Sequence, residues 1–229
     1  HHSRMLTKET IQQIESSSLA DGLAIVASQF QGGIFFSSSL GQEDQVITDI
    51  IFRNNLDIKI FSIDTGRLFN EAYELLDKIT ARYKRRIQVY FPESDDVEKF
   101  VATKGINSFY ESVDNRKECC YIRKVKPLNR ALKGAKIWIT GLRSEQSVNR
   151  REMPMIEWDK GRELYKFNPL INWSYQDVIK YIKEFNVPYN SLHDRGFISI
   201  GCAPCTRAIE AGEDARAGRW WWEASQKEC

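Results

Sequence analysis

The stretch GIFFSSSLGQEDQVITDIIFRN, residues 33–54, decides the fold class. Its first part, GIFFSS (33–38), predicts a compact strand, and DQVITDIIFRN (44–54) predicts the helix that follows. Between them, SSSLGQED (37–44) is rich in small hydroxyl residues. Such a loop can present backbone N–H groups and a helix N-terminus to a phosphate, or it can be an ordinary capped turn. It is not a Walker A loop, because no Gly-Lys-Ser/Thr follows.

The same alternation of strands and helices continues on both sides of this stretch. Two helices are predicted before it, and strands are predicted over 58–64, 87–91 and 136–141. Further helices are predicted over 70–83 and 174–185, the second with Ser174 as its N-cap. This order predicts an α/β fold with a mostly parallel twisted sheet and helices on both faces. In such a sheet ligands bind beyond the carboxyl ends of the strands, where IDTGRLF (63–69) is a second candidate loop.

Composition excludes several classes of protein. The chain has 229 residues, of which 42% are hydrophobic and 28% charged, and its net charge is +2. We therefore expect no nucleic-acid partner, and the longest apolar runs are too short for a membrane span. HHSR (1–4) resembles the remnant of an affinity tag, and no signal peptide follows it, which favours a cytoplasmic location where thiols stay reduced. The oligomeric state is open, with a homo-oligomer as one alternative.

Five cysteines raise the question of a metal site: Cys119, Cys120, Cys202, Cys205 and Cys229. A C-x-x-C pair can be a thioredoxin-like redox motif, which normally follows an early strand, or a haem attachment site, which needs His where Thr206 stands. It can also supply half of a metal site. Together with the adjacent pair, it offers four thiolates to zinc or to an iron–sulfur cluster.

The adjacent pair favours a cluster over zinc. Successive helical residues are turned by roughly 100°, whereas zinc needs both sulfurs about 2.3 Å from one centre. A 4Fe–4S cluster offers separate iron atoms to diverging sulfurs. The alternative is five unrelated thiols. Cys229 lies outside this tetrad in KEC, where Lys227 could favour its thiolate as a nucleophile, although a terminal cysteine can equally be inert.

Several motifs together resemble the assimilatory adenosine 5′-phosphosulfate (APS) reductases, the iron–sulfur branch of the APS/PAPS reductase family. They are KECC, GCAPCTR, GRWWWE, KEC, DTGRL, SFY, YKFNPL and PYNSLHDRGFISIGC, which extend from about residue 37 to the end. The double cysteine with a distant C-x-x-C distinguishes this branch from the 3′-phosphoadenosine 5′-phosphosulfate (PAPS) reductases, which lack these four cysteines. The resemblance implies an adenine-nucleotide α-hydrolase-like fold. It also divides the chain into an α/β nucleotide- and cluster-binding domain over 5–206 and a mobile C-terminal catalytic segment over 207–229.

The resemblance implies a role for individual residues. The modified pyrophosphate loop comprises Ser38, Ser39, Gly41, Glu43 and Asp44, and the second nucleotide loop Asp64, Thr65 and Gly66. The arginine loop contains Gly141 and Arg143, and the phosphosulfate would meet Lys124, Arg216 and Arg219. One 4Fe–4S cluster would be bound by Cys119, Cys120, Cys202 and Cys205, and Cys229 matches the catalytic cysteine.

The implied activity is the reduction of APS to sulfite and AMP in sulfate assimilation and cysteine biosynthesis. Cys229 would attack the sulfur to form S-sulfocysteine, which thioredoxin or a similar dithiol protein would resolve. The cluster would position Lys124 and adjust the field at the sulfate rather than carry electrons. Three departures stand out: the family's Gly-Leu-His is absent after Cys229, GEDARAGR (212–219) replaces a stretch that usually contains His and Glu, and Glu145 differs from the common R-x-D-Q-S pattern.

Two other functions remain open at this point. One is an ATP-using adenylyl transferase or sulfurtransferase of the same superfamily, against which the lack of a strict Ser-Gly-Gly-x-Asp-Ser loop counts. The other is a non-enzymatic iron–sulfur sensor that binds a nucleotide and a protein partner, with the aromatic residues of RWWWE as a docking surface.

Overall fold

The computed structural model describes residues 5–146, 152–207 and 216–226. The helices are α1 Lys8–Ser16, α2 Leu19–Gln29, α3 Gln42–Arg53, α4 Asn70–Tyr83, α5 Ser94–Lys104, α6 Val113–Cys120, α7 Lys126–Ala131 and α8 Tyr175–Phe185. The strands are β1 Ile34–Ser37, β2 Lys59–Ile63, β3 Gln88–Tyr90, β4 Ile137–Ile139, β5 Ile156–Asp159 and β6 Leu164–Phe167. In the described ranges no helix is both long enough and apolar enough to cross a membrane.

The strands form one six-stranded sheet in the order β3-β2-β1-β4-β6-β5. β1 pairs in parallel with β2 and β4, and β4 pairs in parallel with β6, while β5 and β6 form an antiparallel hairpin at the edge. The predicted mostly parallel sheet is confirmed. Its strands carry large apolar side chains that are fully buried, such as Phe36, Ile137 and Phe167, as expected of a sheet covered on both faces.

The predicted elements are confirmed with small shifts of their ends. The helix predicted over 70–83 is α4 with the same bounds, and the strand predicted over 136–141 is the shorter β4. Ser174 caps α8 in a capping box with Asp177, as the sequence indicated. The prediction missed helices α5 to α7 and the hairpin of β5 and β6.

The chain divides into two compact units. Unit 1 comprises His1–Phe61, Leu75–Ile87 and Gly134–Tyr189, and unit 2 comprises Ser62–Glu74, Gln88–Lys133 and Asn190–Cys229. Unit 1 contains β1, β4 and the hairpin, whereas unit 2 contains α5 to α7 and the C-x-x-C turn. Unit 2 has its own small core, in which Phe100 and Phe109 pack with Cys119 and Cys205.

A π-helical segment, Tyr121–Val125, joins α6 to α7 without a break. Its closing bond runs from the N–H of Lys126 to the carbonyl of Tyr121, five residues earlier. A π-turn contains more residues than an α-turn, and such segments often occur at functional sites. Here it directly follows the two adjacent cysteines that end α6.

Candidate active site

The loop after β1 is fixed by Asp44 in the first turn of α3. Oδ2 of Asp44 accepts hydrogen bonds from the backbone N–H and the hydroxyl of Ser39, at 2.6 and 2.8 Å. Ser38 is buried, and its hydroxyl accepts the N–H of Leu40 at 3.1 Å. α3 begins after Gly41. Because glycine has no side chain, residue 41 makes no side-chain hydrogen bond to the N–H groups in the first turn of the helix.

The loop after β4 lies beside the loop after β1, because β1 and β4 are parallel neighbours whose carboxyl ends share one edge. Gly141 is required at this contact, since a Cβ at this position would collide with the carboxylate of Asp44. Arg143 is buried in the same loop and donates from Nε to Oε1 of Glu43 at 3.0 Å. The predicted pyrophosphate and arginine loops of unit 1 therefore meet through Asp44–Gly141 and Glu43–Arg143.

Gln146, which belongs to the RSEQS stretch (143–147) that the resemblance assigns to the arginine loop, also joins the two loops. Its side-chain oxygen accepts the N–H of Arg143 at 3.1 Å, and its Nε2 lies 3.3 Å from Oε1 of Glu43. Glu145, the departure from the family pattern, is 57% exposed and reaches Arg143 only at 3.9 Å.

Burial raises the pKa of Asp44 to about 7, and the adjacent charge of Glu43 acts in the same direction. The two hydrogen bonds from Ser39 oppose this shift but do not cancel it. Near neutral pH Asp44 is therefore present in both its protonated and its ionised form. The same carboxyl group holds the loop after β1 through Ser39.

In unit 2 the predicted second nucleotide loop contacts the C-x-x-C turn. Oδ1 of Asp64 accepts the N–H of Gly66 at 2.7 Å and the hydroxyl of Tyr73 at 3.0 Å. The hydroxyl of Thr65 lies 3.1 Å from the sulfur of Cys202. Gly66 has φ +83°, and a Cβ at this position would lie 3.0 Å from Nη1 of Arg123, so glycine is favoured on both grounds.

Arg123 is a site residue that the sequence analysis did not assign. It is buried in the π-helical segment and donates from Nη1 to the carbonyl of Thr65 at 2.7 Å. In the sequence it belongs to the basic run RKVK, which is typical of a solvated surface. The π-helical turn, which no sequence pattern indicated, places this one arginine inside.

All four cysteines predicted to bind a cluster lie in unit 2 as free thiols. Cys119 and Cys205 are buried, and Cys202 packs against the same apolar core. Burial, together with negative charge on Cys202, Cys120 and Cys119, raises the pKa of Cys205 to about 12. Burial is also the main reason that the pKa of Cys119 is raised. The four sulfurs are thus close enough to feel one another's charge.

This donor set fits an iron–sulfur cluster. Four mutually repelling thiolates in an apolar core require positive charge among them, which iron supplies. In the described part of the chain, no three His, Cys, Asp or Glu side chains are placed to hold a single metal ion. Cys119 is buried and Cys120 only half-buried, as expected of adjacent helical residues that diverge.

Several cationic side chains lie close to the cysteines: Arg123, Lys124 and Arg219, and also Arg116, which contacts Cys120 and is paired with Glu223. Among the described residues no carboxylate forms an ion pair with Arg123, Lys124 or Arg219. Lys124 as a whole residue is exposed to solvent, but many protein atoms lie near its ammonium group. This crowding lowers its pKa, as does the charge of Arg219, whereas Cys202 and Cys120 raise it.

Arg219 is partly buried, and its guanidinium lies against Gly201, where a Cβ would approach its Cζ to 2.7 Å. Its Nη1 donates to the hydroxyl of Ser199 at 3.3 Å, while its Nε is buried without a hydrogen-bond partner in the described ranges. Burial lowers the pKa of Arg219, as does the nearby charge of Arg216. A partly buried guanidinium without a carboxylate favours an anionic ligand.

Not every predicted site residue can be placed. Arg216 is described and lies 5.8 Å from the ring of Trp220. Cys229, the predicted nucleophile, and the residues of GEDARAGR before Arg216 fall outside the described residues. So do residues 147–151 of the arginine loop.

Comparison with known proteins agrees with this geometry. Residues 33–208 match the family model of the phosphoadenosine phosphosulfate reductase domain. A relative from Allochromatium vinosum named adenosine 5′-phosphosulfate reductase is 52% identical over 86% of this chain and 77% of its own length. One of the same name from Burkholderia cepacia is 48% identical over 98% of this chain and 89% of its own length.

Among solved structures, a phosphoadenylyl-sulfate (PAPS) reductase from Candida auris in a phosphate complex superposes with a TM-score of 0.73 at 30% identity. The match covers 90% of this chain and 98% of that one, and with the observed sheet it confirms the predicted adenine-nucleotide α-hydrolase-like fold. The relatives therefore bear out the resemblance that the motifs first indicated: this chain belongs to the family of adenosine 5′-phosphosulfate reductases.

Proposed function

We propose that the protein reduces adenosine 5′-phosphosulfate to sulfite and AMP with electrons from a dithiol protein such as thioredoxin, in sulfate assimilation. The observation that carries this proposal is the set of cations beside four gathered cysteines in unit 2, within a chain about half identical to proteins of that name. The substrate carries its negative charge on the phosphosulfate group, and the partly buried Arg219, which has no carboxylate partner among the described residues, suits such a group.

Each unit has its own candidate binding residues. In unit 1, Ser38, Ser39 and Asp44 fix the loop after β1, and the N-terminus of α3 after Gly41 offers N–H groups to a phosphate. Lys124, Arg216 and Arg219 stabilise the charge that develops on phosphate as the sulfur–oxygen bond breaks. The pKa of Arg219 is lowered because burial disfavours its positive charge, and a bound anion would offset that cost.

The reaction proceeds in two balanced steps. The thiolate of Cys229 attacks the sulfur of APS; an S–S bond forms, the S–O bond to phosphate breaks, and AMP leaves, so that Cys229 carries a sulfonate. A thiolate of the dithiol protein then attacks the sulfur of Cys229, which releases sulfite. The second thiol of that protein displaces Cys229 by forming a disulfide, so the two electrons come from the dithiol.

Cys119, Cys120, Cys202 and Cys205 would hold one 4Fe–4S cluster. When bound, it supplies a fixed charge beside Lys124 and orders the turn that carries Cys202 and Cys205. Two contacts within the chain link the second nucleotide loop to the cysteines. The hydroxyl of Thr65 lies next to the sulfur of Cys202, and Arg123 donates a hydrogen bond to the carbonyl of Thr65.

A single-turnover experiment tests this function. The anaerobic, cluster-containing protein is mixed with APS and without reductant, and the intact protein and its peptides are weighed by mass spectrometry. We expect one sulfonate on Cys229, one AMP per adduct, and sulfite on addition of thioredoxin; the Cys229→Ser variant should form no adduct. Failure of the wild type to form the adduct while it binds AMP would refute the proposed reaction, and adenylyl transfer from ATP would instead support the ATP-using alternative.

A further inference from the structure

The aromatic motif GRWWWE lies in a segment whose contacts the proposed reaction does not yet explain. We refer to residues 216–226 as the Trp segment. Its backbone is tied to the C-x-x-C turn, because the N–H of Trp220 donates to the carbonyl of Cys205 at 2.9 Å. Trp222 packs against the rings of Phe109 and Tyr110, with centroid distances of 6.0 and 4.6 Å. The Trp segment is therefore part of the core of unit 2.

One ion pair holds this segment to the helix that carries the adjacent cysteines. Nε and Nη2 of Arg116 donate to the two carboxylate oxygens of Glu223 at 2.9 and 3.0 Å. The two side chains are only 16% and 17% exposed. The guanidinium also lies 4.4 Å from the centre of the ring of Trp220. Arg116 thus forms a two-point contact and stacks on a second residue of the same segment.

This ion pair is expected to be stronger than an ordinary ion pair on the protein surface. A bidentate arginine–carboxylate contact is directional, and partial burial reduces its screening by salt. The other ion pairs among the described residues of unit 2 are more exposed, including Lys104–Glu118, which also involves α6. Arg116 lies four residues before Cys120, so the pair connects the cysteine helix with the Trp segment.

We propose that Arg116 and Glu223 are positioning residues that keep the nucleophile of the proposed reaction within reach of its substrate. Cys229 follows Glu223 by six residues. Six residues extend at most roughly 20 Å, so an anchor at Glu223 sets an upper limit on the reach of Cys229, and loss of the anchor would lengthen its tether. Confinement raises the effective concentration of the thiolate at a bound substrate without any contact to the substrate itself. This inference rests on the proposed function for the role of Cys229.

Four variants test the pair. Glu223→Gln keeps the shape and removes the charge, Arg116→Glu reverses one charge, and the double variant Arg116→Glu/Glu223→Arg restores a pair of opposite sense. The double variant Lys104→Glu/Glu118→Lys is the matched control, since it reverses the exposed ion pair on α6. All four are prepared anaerobically, and their visible absorbance is compared with that of the wild type to verify equal cluster content.

Two readouts separate anchoring from chemistry. Hydrogen–deuterium exchange of the peptide that contains Trp220 reports whether the Trp segment is held, without any use of APS. The single-turnover rate of sulfonate formation on Cys229 reports positioning, and the affinity for AMP reports the binding loops. We expect Glu223→Gln and Arg116→Glu to exchange faster and to form the adduct at least roughly tenfold more slowly, with AMP affinity unchanged.

The charge-reversed double variant should recover a substantial part of both losses, and the matched control should resemble the wild type. Unchanged exchange in Glu223→Gln would overturn the anchoring role. Faster exchange with an unchanged adduct rate would overturn the positioning role. If the wild type itself forms no adduct, the proposed function fails, while the exchange results still decide whether Arg116 and Glu223 hold the Trp segment.

Discussion

The environment of Asp44 strongly raises the pKa of its carboxyl group. Its carboxylate is buried, has no cationic partner among the described residues, and is held only by Ser39 and by the space that Gly141 leaves. Its pKa of about 7 means that a substantial part of it is protonated at neutral pH. The hydrogen bonds to Ser39 favour the ionised form, whereas burial favours the neutral form.

This balance predicts how stability depends on pH. The pKa is 3.8 for an ordinary aspartate and about 7 in the folded protein. Between these values the folded state binds more protons than the unfolded state, so the contribution of Asp44 to stability falls as pH rises from 4 to 7. Asp44→Asn removes this titration. The free energy of unfolding of the wild type, relative to that of Asp44→Asn, should therefore fall by on the order of 2–4 kcal/mol over this range.

Chemical denaturation of both proteins at several pH values measures this difference. Other carboxylates titrate in both proteins and cancel in the comparison. A constant difference from pH 4 to 7 would show that the pKa of Asp44 is not raised in the folded protein.

Among the elements, α6 is short and depends on its caps. It has eight residues and few apolar ones, so its own propensity does little to hold Cys119 and Cys120. Its N-terminus is closed by Ser112, whose hydroxyl accepts the N–H of Asn115 at 3.0 Å. Ser174 does the same for α8 in unit 1. The two serines have the same role on different helices, which makes them a matched pair.

We expect Ser112→Ala and Ser174→Ala each to lower the free energy of unfolding by about 1 kcal/mol. Only Ser112→Ala should also shorten the lifetime of the proposed cluster, because α6 carries two of its cysteines and frays more readily without its cap. The measurement is the decay of visible absorbance in the presence of an iron chelator under anaerobic conditions. Equal decay rates in the two variants would argue that α6 does not support the cluster.

The whole molecule consists of two units that would respond differently to loss of the cluster. All four cysteines lie in unit 2, whose core contains Cys119, Cys202 and Cys205. A group bound by the folded state stabilises the part of the structure that binds it. After removal of iron, the thiols of Cys119 and Cys205 are expected to be protonated, because burial raises the pKa of both above the ordinary value of a thiol.

Hydrogen–deuterium exchange before and after chelation should therefore show selective loss of protection. We expect faster exchange in α6, the π-helical segment and the C-x-x-C turn, by tenfold or more, which corresponds to at least about 1.4 kcal/mol. Protection in α3 and α8 of unit 1 serves as the internal control and should be unchanged. A uniform loss across both units would show that the four cysteines stabilise the molecule as a whole.

Sequence patterns predicted the fold because its defining signals are local. The helix over 70–83 has apolar residues at helical spacing and clear polar ends, and β1 is a compact apolar run, so both were predicted closely. α6 and the π-helical segment were missed because VDNRKECC has no apolar face and the π-turn changes the spacing. The hairpin of β5 and β6 was missed because charged residues interrupt both strands, IEWD and LYKF, so neither forms a continuous apolar run.

The candidate site was predictable where a motif carries the chemistry and not where contacts join distant positions. The four cysteines and the loops after β1 and β4 were identified because their residue types are specific. The contact of Arg123 with Thr65 spans 58 positions and that of Arg116 with Glu223 spans 107. Neither leaves a local signature, and each arginine resembles the surface charges around it.

The close packing of Gly201 against Arg219 ties two distant positions together in evolution. Any side chain at 201 needs the space that the guanidinium of Arg219 occupies. Residue 201 can therefore gain a side chain only if residue 219 becomes shorter, and a shorter residue 219 loses the cation beside the cysteines. The two positions therefore cannot change independently. A single substitution at either position either creates a steric clash or removes the cation, so both must change together to reach another compatible pair.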